Sequence, residues 1–294
     1  MSTPAVQATL DDGFTSVTYK KKPAKKNRKG KNRYIERTLS EKLSSREENL
    51  RQSGYLGKCR ELLRNCLHPT TGNDDDDPST SACPAPKRVV CLGLGSVSDS
   101  TKAQDQYILS KELLLELNGI IDPEEPVKFY DPVFTPEDTS FLLSEGHSVL
   151  SSSFELSLRL PTLLYIPHGP RSLFNDLISE NWTRAQLEKM IIFGNRLDLY
   201  EDPTYSGTTS QSGEGEEGEL KEGMESIRKA AKLFEIVPLP TTKEHLEAFN
   251  DLAIEWVDPK KVEEAVKDGR IPETMSFNGE KQAKGSTKNG GKTE

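Results

Sequence analysis

The sequence predicts an α/β protein: a doubly wound, mostly parallel sheet of Rossmann-like three-layer type, with disordered termini. Three observations carry that expectation. Between residues 87 and 258, short apolar runs alternate with segments whose apolar residues recur at helical spacing, the pattern of parallel strands joined by crossover helices. Several of the runs stop at glycine, as Val89-Val90-Cys91-Leu92 does at Gly93 and Ile191-Ile192-Phe193 does at Gly194. Outside that stretch the chain is charged or rich in Lys, Gly, Ser and Thr, with too little apolar surface to offset the entropy of ordering.

Taken in order, residues 1–38 read as a disordered basic tail, with Lys20, Lys21, Lys22, Lys25, Lys26, Arg28, Lys29, Lys31 and Arg33 close together. Blocks of like charge repel themselves and stay solvated. An import signal or a non-specific nucleic-acid contact is the sharper reading. Only Tyr19 and Tyr34 flank the basic block, which argues against a platform that stacks single-stranded bases. Residues 39–68 form a helical segment rich in Glu, Arg, Leu and Lys. Gly54 and Gly57 each weaken it by about 1 kcal/mol against alanine, so a broken helix or a pair of helices is expected, packed on the domain or awaiting a partner. Residues 69–86, with Pro69, Gly72, Asp74 to Asp77, Pro78, Pro84 and Pro86, read as a linker.

The α/β domain is placed at 87–258. Its first strand is Arg88 to Leu92, followed by a helix presenting Ala103, Tyr107, Ser110, Leu114 and Leu117. Pro126 to Phe134 reads as the second strand. Thr135-Pro136-Glu137-Asp138 then opens a helix, with a cap, a proline at the first position and acids near the positive end. His147 to Ser151 and Thr162 to Pro167 give strands three and four, and a helix spans Arg171 to Trp182. Thr183 to Gln186 resembles a capping box. The fifth strand ends at Gly194. After an acidic loop at 201–219 come a helix near 220–232 and two strands, Phe234 to Leu239 and Leu252 to Val257, separated by a helix around Glu244 to Phe249. Residues 259–294 are expected to be a mostly disordered tail.

Composition narrows the function classes. Of 294 residues 33% are hydrophobic and 29% charged, with a net charge of -8. No apolar run approaches the length of a membrane span, and no basic-then-apolar leader opens the chain, so no membrane partner is expected. Four scattered cysteines do not make a disulfide scaffold. A reducing compartment follows, cytoplasmic and/or nuclear. Cys59, Cys66 and His68 fit no common zinc spacing, and no metal is assigned.

Ligands of open α/β sheets bind beyond the C-terminal ends of the strands, and four of those ends carry distinctive residues. The first is Gly93-Leu94-Gly95-Ser96, a turn that lets a backbone approach a ligand or is simply tight. The third glycine of the dinucleotide fingerprint is replaced by Ser98. The second is Asp131, placed to take ribose hydroxyls or to cap a turn before Pro132. It lies 36 positions after Gly95, beyond the usual interval of about 20. The third is His168, between Pro167 and Gly169-Pro170: a base, a metal or haem ligand, a hydrogen-bond anchor, or a structural residue. The fourth is Asn195, a ligand contact or a strand cap. Gly93, Gly95, Ser96, Asp131, His168 and Asn195 are therefore the ligand-binding candidates, and no catalytic residue is assigned.

Cys91-Leu92-Gly93-Leu94-Gly95-Ser96, Tyr130-Asp131-Pro132-Val133-Phe134, Pro167-His168-Gly169, Asn181-Trp182, Phe193-Gly194-Asn195 and Ala248-Phe249-Asn250-Asp251 occur in that order. Together they resemble the sensitivity-to-red-light-reduced (SRR-like) family over residues 85 to 258. The resemblance implies a eukaryotic regulator of circadian rhythm and light signalling, or of haem biosynthesis and clock-gene expression. It supplies no settled catalytic activity. The expected function is thus a non-enzymatic regulator with an unknown protein partner and an α/β cleft for a small ligand. The alternative is a methyltransferase-like enzyme using an adenosine-type cofactor. No cofactor is required by the sequence. Because Cys83-Pro84 is a dipeptide seen in haem sensors, the family's link to haem makes Cys83 a candidate haem contact.

Overall fold

The computed structural model describes residues 37–69, 82–152, 154–201 and 225–274. The expectations for the basic tail, the body of the linker, the acidic loop and the last twenty residues fall outside them. The described residues from Thr38 onward form one compact unit.

The elements are α1 (Leu39–Gln52), α2 (Tyr55–Leu67), β1 (Arg88–Leu92), α3 (Thr101–Glu116), β2 (Lys128–Tyr130), α4 (Pro136–Ser144), β3 (Ser148–Val149), β4 (Thr162–Ile166), α5 (Arg171–Glu180), α6 (Arg184–Leu187), β5 (Met190–Asn195), α7 (Glu225–Ala231), β6 (Phe234–Pro238), α8 (Leu246–Phe249), β7 (Leu252–Val257) and α9 (Pro259–Lys267). The seven strands lie in the order β3-β2-β1-β4-β5-β7-β6. Pairings from β3 through β5 are parallel. β7 runs antiparallel to both neighbours. The chain moves outward from β1 to β3 and then returns to the other side of β1, so the order reverses between β1 and β4.

Successive side chains of a strand face opposite sides of the sheet, and burial follows that alternation. Val89, Cys91, Leu163, Tyr165, Ile191 and Phe193 join one core with α1, α2, α3, α4 and α8. Val90, Leu92, Leu164, Ile166, Met190 and Ile192 join the other with α5, α6, α7 and α9. The result is the three-layer, mostly parallel α/β arrangement that the alternating pattern predicts.

Local signals set the helix starts. Thr38 with Glu41, and Thr135 with Asp138, form reciprocal capping boxes at α1 and α4. Gly54, at φ 73°, takes the left-handed turn that splits the first helical segment into α1 and α2.

One open expectation is decided and three change. The helical segment 39–68 does not stand apart from the domain but packs on it: α2 buries Tyr55, Leu56, Cys59 and Leu63 in the first core, and Tyr55 stacks on Phe249 at 4.7 Å. The domain does not close at 258 either. Asp258 caps α9, Pro259 opens it, and Val262, Ala265 and Ile271 are buried. The second strand shrinks to three residues, because Asp131 and Pro132 already belong to the turn. Cys83 does not lie in an open linker: it is 4% exposed, and its N–H donates to the Cys66 carbonyl at 2.9 Å.

Candidate functional site

The turn after β1 begins with Gly93 at φ 68°, reaches Gly95 at φ 81° and leads into α3, a path closed to most L-residues. An alanine methyl at position 93 would lie 3.8 Å from the Gly169 Cα, so the turns after β1 and β4 touch. Two carboxylates hold the first turn from its far side. Asp131 Oδ2 accepts the Gly95 N–H at 2.7 Å, and Oδ1 accepts the Val133 N–H at 2.9 Å. Asp138 Oδ1 accepts the Ser98 N–H at 2.7 Å, while Oδ2 serves Thr135. Burial pushes the Asp138 carboxyl up, but the N–H groups of Thr135 and Ser98 outweigh it and hold the group below its ordinary value. Two of the turn's amides, those of Gly95 and Ser98, are thus taken by side chains.

The turn after β4 carries His168 at φ 56°, an uncommon conformation for a non-glycine residue. Its Nε2 lies 3.2 Å from the Ala248 carbonyl oxygen, which fixes Nε2 as the donor and leaves Nδ1 as an acceptor. Burial, reinforced by the Lys102 cation, lowers the pKa of the ring to about 4. Gly169 follows because any Cβ would collide with Ile166 Cγ2 and crowd Phe174.

Between these turns, where the strand order reverses, opens a cavity of about 610 Å3. Gly93, Gly95, Asp131 and His168 line it; Ser96 and Asn195 do not. Ser96 Oγ is bonded to Ser98 Oγ at 3.0 Å and accepts the Asp99 N–H, shaping the turn. Asn195 donates through Nδ2 to the Gly169 carbonyl at 3.2 Å and to the Tyr200 hydroxyl at 3.1 Å, so it braces the β4 turn. Cys83 does not line the cavity, and burial pushes its thiol far above the ordinary range. A buried, protonated thiol is a poor haem ligand. Among the described residues, no three His, Cys, Asp or Glu side chains are grouped to hold a metal.

Sequence reasoning missed three contributors. Lys102 enters the cavity from the first turn of α3, and Phe154 and Leu156 wall it from the segment before β4. A lysine next to the positive end of a helix is electrostatically misplaced, and that signal was present in the sequence. Phe154 and Leu156 sit in irregular backbone, which periodicity does not reach.

The SRR1 domain family model matches residues 39–256. An SRR1-like protein of Mus musculus is 30% identical over 175 residues, covering 52% of this chain and 69% of the mouse protein. The protein SENSITIVITY TO RED LIGHT REDUCED 1 of Arabidopsis thaliana is 29% identical over 117 residues, 39% of this chain and 42% of the plant protein. A Corynebacterium glutamicum protein of known crystal structure aligns over 74% of this chain and 89% of its own, at TM-score 0.36 and 13% identity. The SAH-bound methyltransferase PaMTH1 of Podospora anserina aligns over 76% of this chain and 99% of its own, at TM-score 0.33 and 10% identity.

Proposed function

The chain belongs to the SRR1 domain family, and we propose that it is a non-enzymatic regulator that binds a small nucleoside-type ligand between β1 and β4. The cavity of about 610 Å3 at the reversal of strand order carries this reading. Such switch points are where open α/β sheets take ligands, and the volume lies within the range of about 300–1,000 Å3 that suits one small molecule. Phe154, Leu156 and Leu173 offer apolar surface for a flat base. Each Asp131 oxygen accepts one N–H and keeps a further acceptor position for a sugar hydroxyl.

The alternative, an adenosine-dependent transferase, would gain from a general base in the cavity when its nucleophile carries a proton at neutral pH. His168 is a weak base for that task, since its pKa is lowered to about 4. A neutral imidazole fixed by the Ala248 carbonyl suits hydrogen bonding instead.

The test is native mass spectrometry of the purified chain, followed by calorimetric titration with adenosine. Adenosine should bind once per chain. His168→Asn, which tolerates the left-handed turn, should weaken binding while keeping the melting temperature. No bound molecule and no heat of adenosine binding would defeat the reading, and methyl transfer by the adenosine-bound protein would favour the alternative.

The plant relative is named for reduced sensitivity to red light, and a role in light or circadian signalling is carried to this chain as part of the proposal. Regulation of haem biosynthesis rests on the resemblance alone. Both are tested by clock-gene and haem-synthesis transcript rhythms in cells lacking the protein; unchanged rhythms would remove them. The cytoplasmic and/or nuclear assignment rests on the scattered cysteines, and a nuclear share of it on the basic arm. Alanine at Lys25, Lys26, Arg28 and Lys29 should deplete the nucleus, and an unaltered distribution would defeat it.

A further inference from the structure

Lys102 occupies a position that costs the fold on three counts. It lies in the first turn of α3, a helix of 16 residues, where the helix dipole disfavours a cation. It lines the cavity next to apolar side chains, and partial burial lowers its pKa, opposed only by the Glu247 carboxylate. No hydrogen bond or ion pair to its ammonium occurs among the described residues, although other surface cations, such as Arg46, Arg60 and Arg64, are paired. Glu247, on α8, is exposed and acts on it only at a distance.

The glycine turn does not offer an alternative anion site. Its Gly95 and Ser98 N–H groups are held by Asp131 and Asp138 at 2.7 Å each. The acidic lining residue Asp131 would repel an anion placed beside that turn. His168 is neutral and points its one ring N–H at Ala248. Among the described residues of the lining, Lys102 is the cationic one.

We propose that the cleft selects an anionic ligand, whose carboxylate or phosphate pairs with the Lys102 ammonium while the rest of the molecule lies between the β1 and β4 turns. The proposal rests on the ligand-binding reading of that cavity and adds the charge class of its occupant. An arriving anion pairs with a partly buried ammonium through a charge-assisted hydrogen bond, which is stronger than one between neutral groups. Without ligand, Lys102 is a cost to stability. That cost is what makes the site discriminate.

The test uses the full chain and three probes in calorimetric titration: adenosine, adenosine 5′-monophosphate and adenosine-5′-carboxylic acid. On the wild-type protein at least one anionic probe should bind about tenfold or more tightly than adenosine. A gain confined to the phosphate or to the carboxylate identifies which anion the site takes. Lys102→Gln should bring the anionic probes down to the level of adenosine, and Lys102→Arg should restore the preference. Melting temperatures of both variants report whether the fold is intact, and the arginine variant keeps the comparison informative if the glutamine variant is unstable. Equal binding of all three probes by the wild type, or a preference that survives Lys102→Gln, overturns the anionic assignment and leaves the cleft reading standing. Failure of every probe to bind overturns the cleft reading, and this inference falls with it.

Discussion

The two faces of the sheet solve the same problem by different means. On the first face α3 is covered on both sides, by the sheet below and by α1 and α2 above, and it buries Gln104, Asp105, Gln106, Ser110 and Glu112 along with its apolar residues. A charged seam joins the tiers. Arg46 forks onto Asp105 with two bonds of 2.6 Å, His245 reaches the same carboxylate at 2.9 Å, Arg51 and Arg60 meet Glu112 at 2.9 Å each, and Arg64 pairs with Glu116. On the second face a single tier meets the sheet with Phe174, Leu177 and Ile178 of α5, Ile227 of α7 and Val262 of α9. Its fully buried carboxylate, Glu255, has no arginine in contact among the described residues: Oε1 accepts the Leu197 N–H at 2.8 Å and Oε2 finds no hydrogen-bond partner there. A helix with two neighbours has no solvent side for its polar residues, so they must be paired within the protein. A helix with one neighbour keeps its polar residues wet and packs by shape.

The largest effect expected is on the apolar face. Leu177→Ala should cost about 2–5 kcal/mol in urea unfolding, because it empties a fully buried site. The loss should be insensitive to salt. An effect below about 1 kcal/mol would mean that this face is not tightly packed.

On the charged face Asp105→Ala should cost about 2–3 kcal/mol, less than a sealed ion pair, since the Arg46 side chain is 29% exposed and can recover water. Replacing Arg46 and Asp105 together by Met and Leu should return most of that loss. If the double variant is as unstable as the single, the seam stabilises through more than charge pairing.

Glu255→Gln sharpens the contrast between paired and unpaired carboxylates. Burial raises the Glu255 carboxyl well above its ordinary value of 4.5, with the Leu197 N–H and Arg196 opposing. The folded protein therefore holds this proton more tightly than the unfolded chain does. The stability it contributes is complete below the unfolded value and drains away as pH rises. The glutamine variant, which has no such proton to lose, should gain on the wild type as pH rises above the ordinary carboxyl value. Parallel stability curves above that value would show that Glu255 is not held protonated.

The smallest effect tests whether α9 belongs to the apolar face. Asp258 accepts the Lys260 N–H at 2.9 Å as the helix cap. Asp258→Ala should lower stability by about 1 kcal/mol. No change would imply that the helix contributes little to the fold.

What the sequence determined by itself was local. Apolar runs marked β1, β4, β5 and β7, and Thr135-Pro136 with Asp138 marked the start of α4, because a cap or an alternation acts over three or four residues. Asp258-Pro259 followed by Val262 and Ala265 was legible in the same way, although the polar composition beyond it obscured the helix. As residues lining the cavity, Gly93, Gly95, Asp131 and His168 were legible because each follows closely on a recognisable strand. Only the tertiary structure decided their partners. Asp131 and Gly95 lie 36 positions apart, and His168 and Ala248 lie 80 apart. Which N–H a carboxylate takes, and whether Lys102 finds a counter-ion, depends on strand order and on the covering of α3 by α1 and α2. Those arrangements arise when distant apolar faces are buried together, and burial on that scale is a property of the packed chain, beyond the reach of any short stretch of sequence.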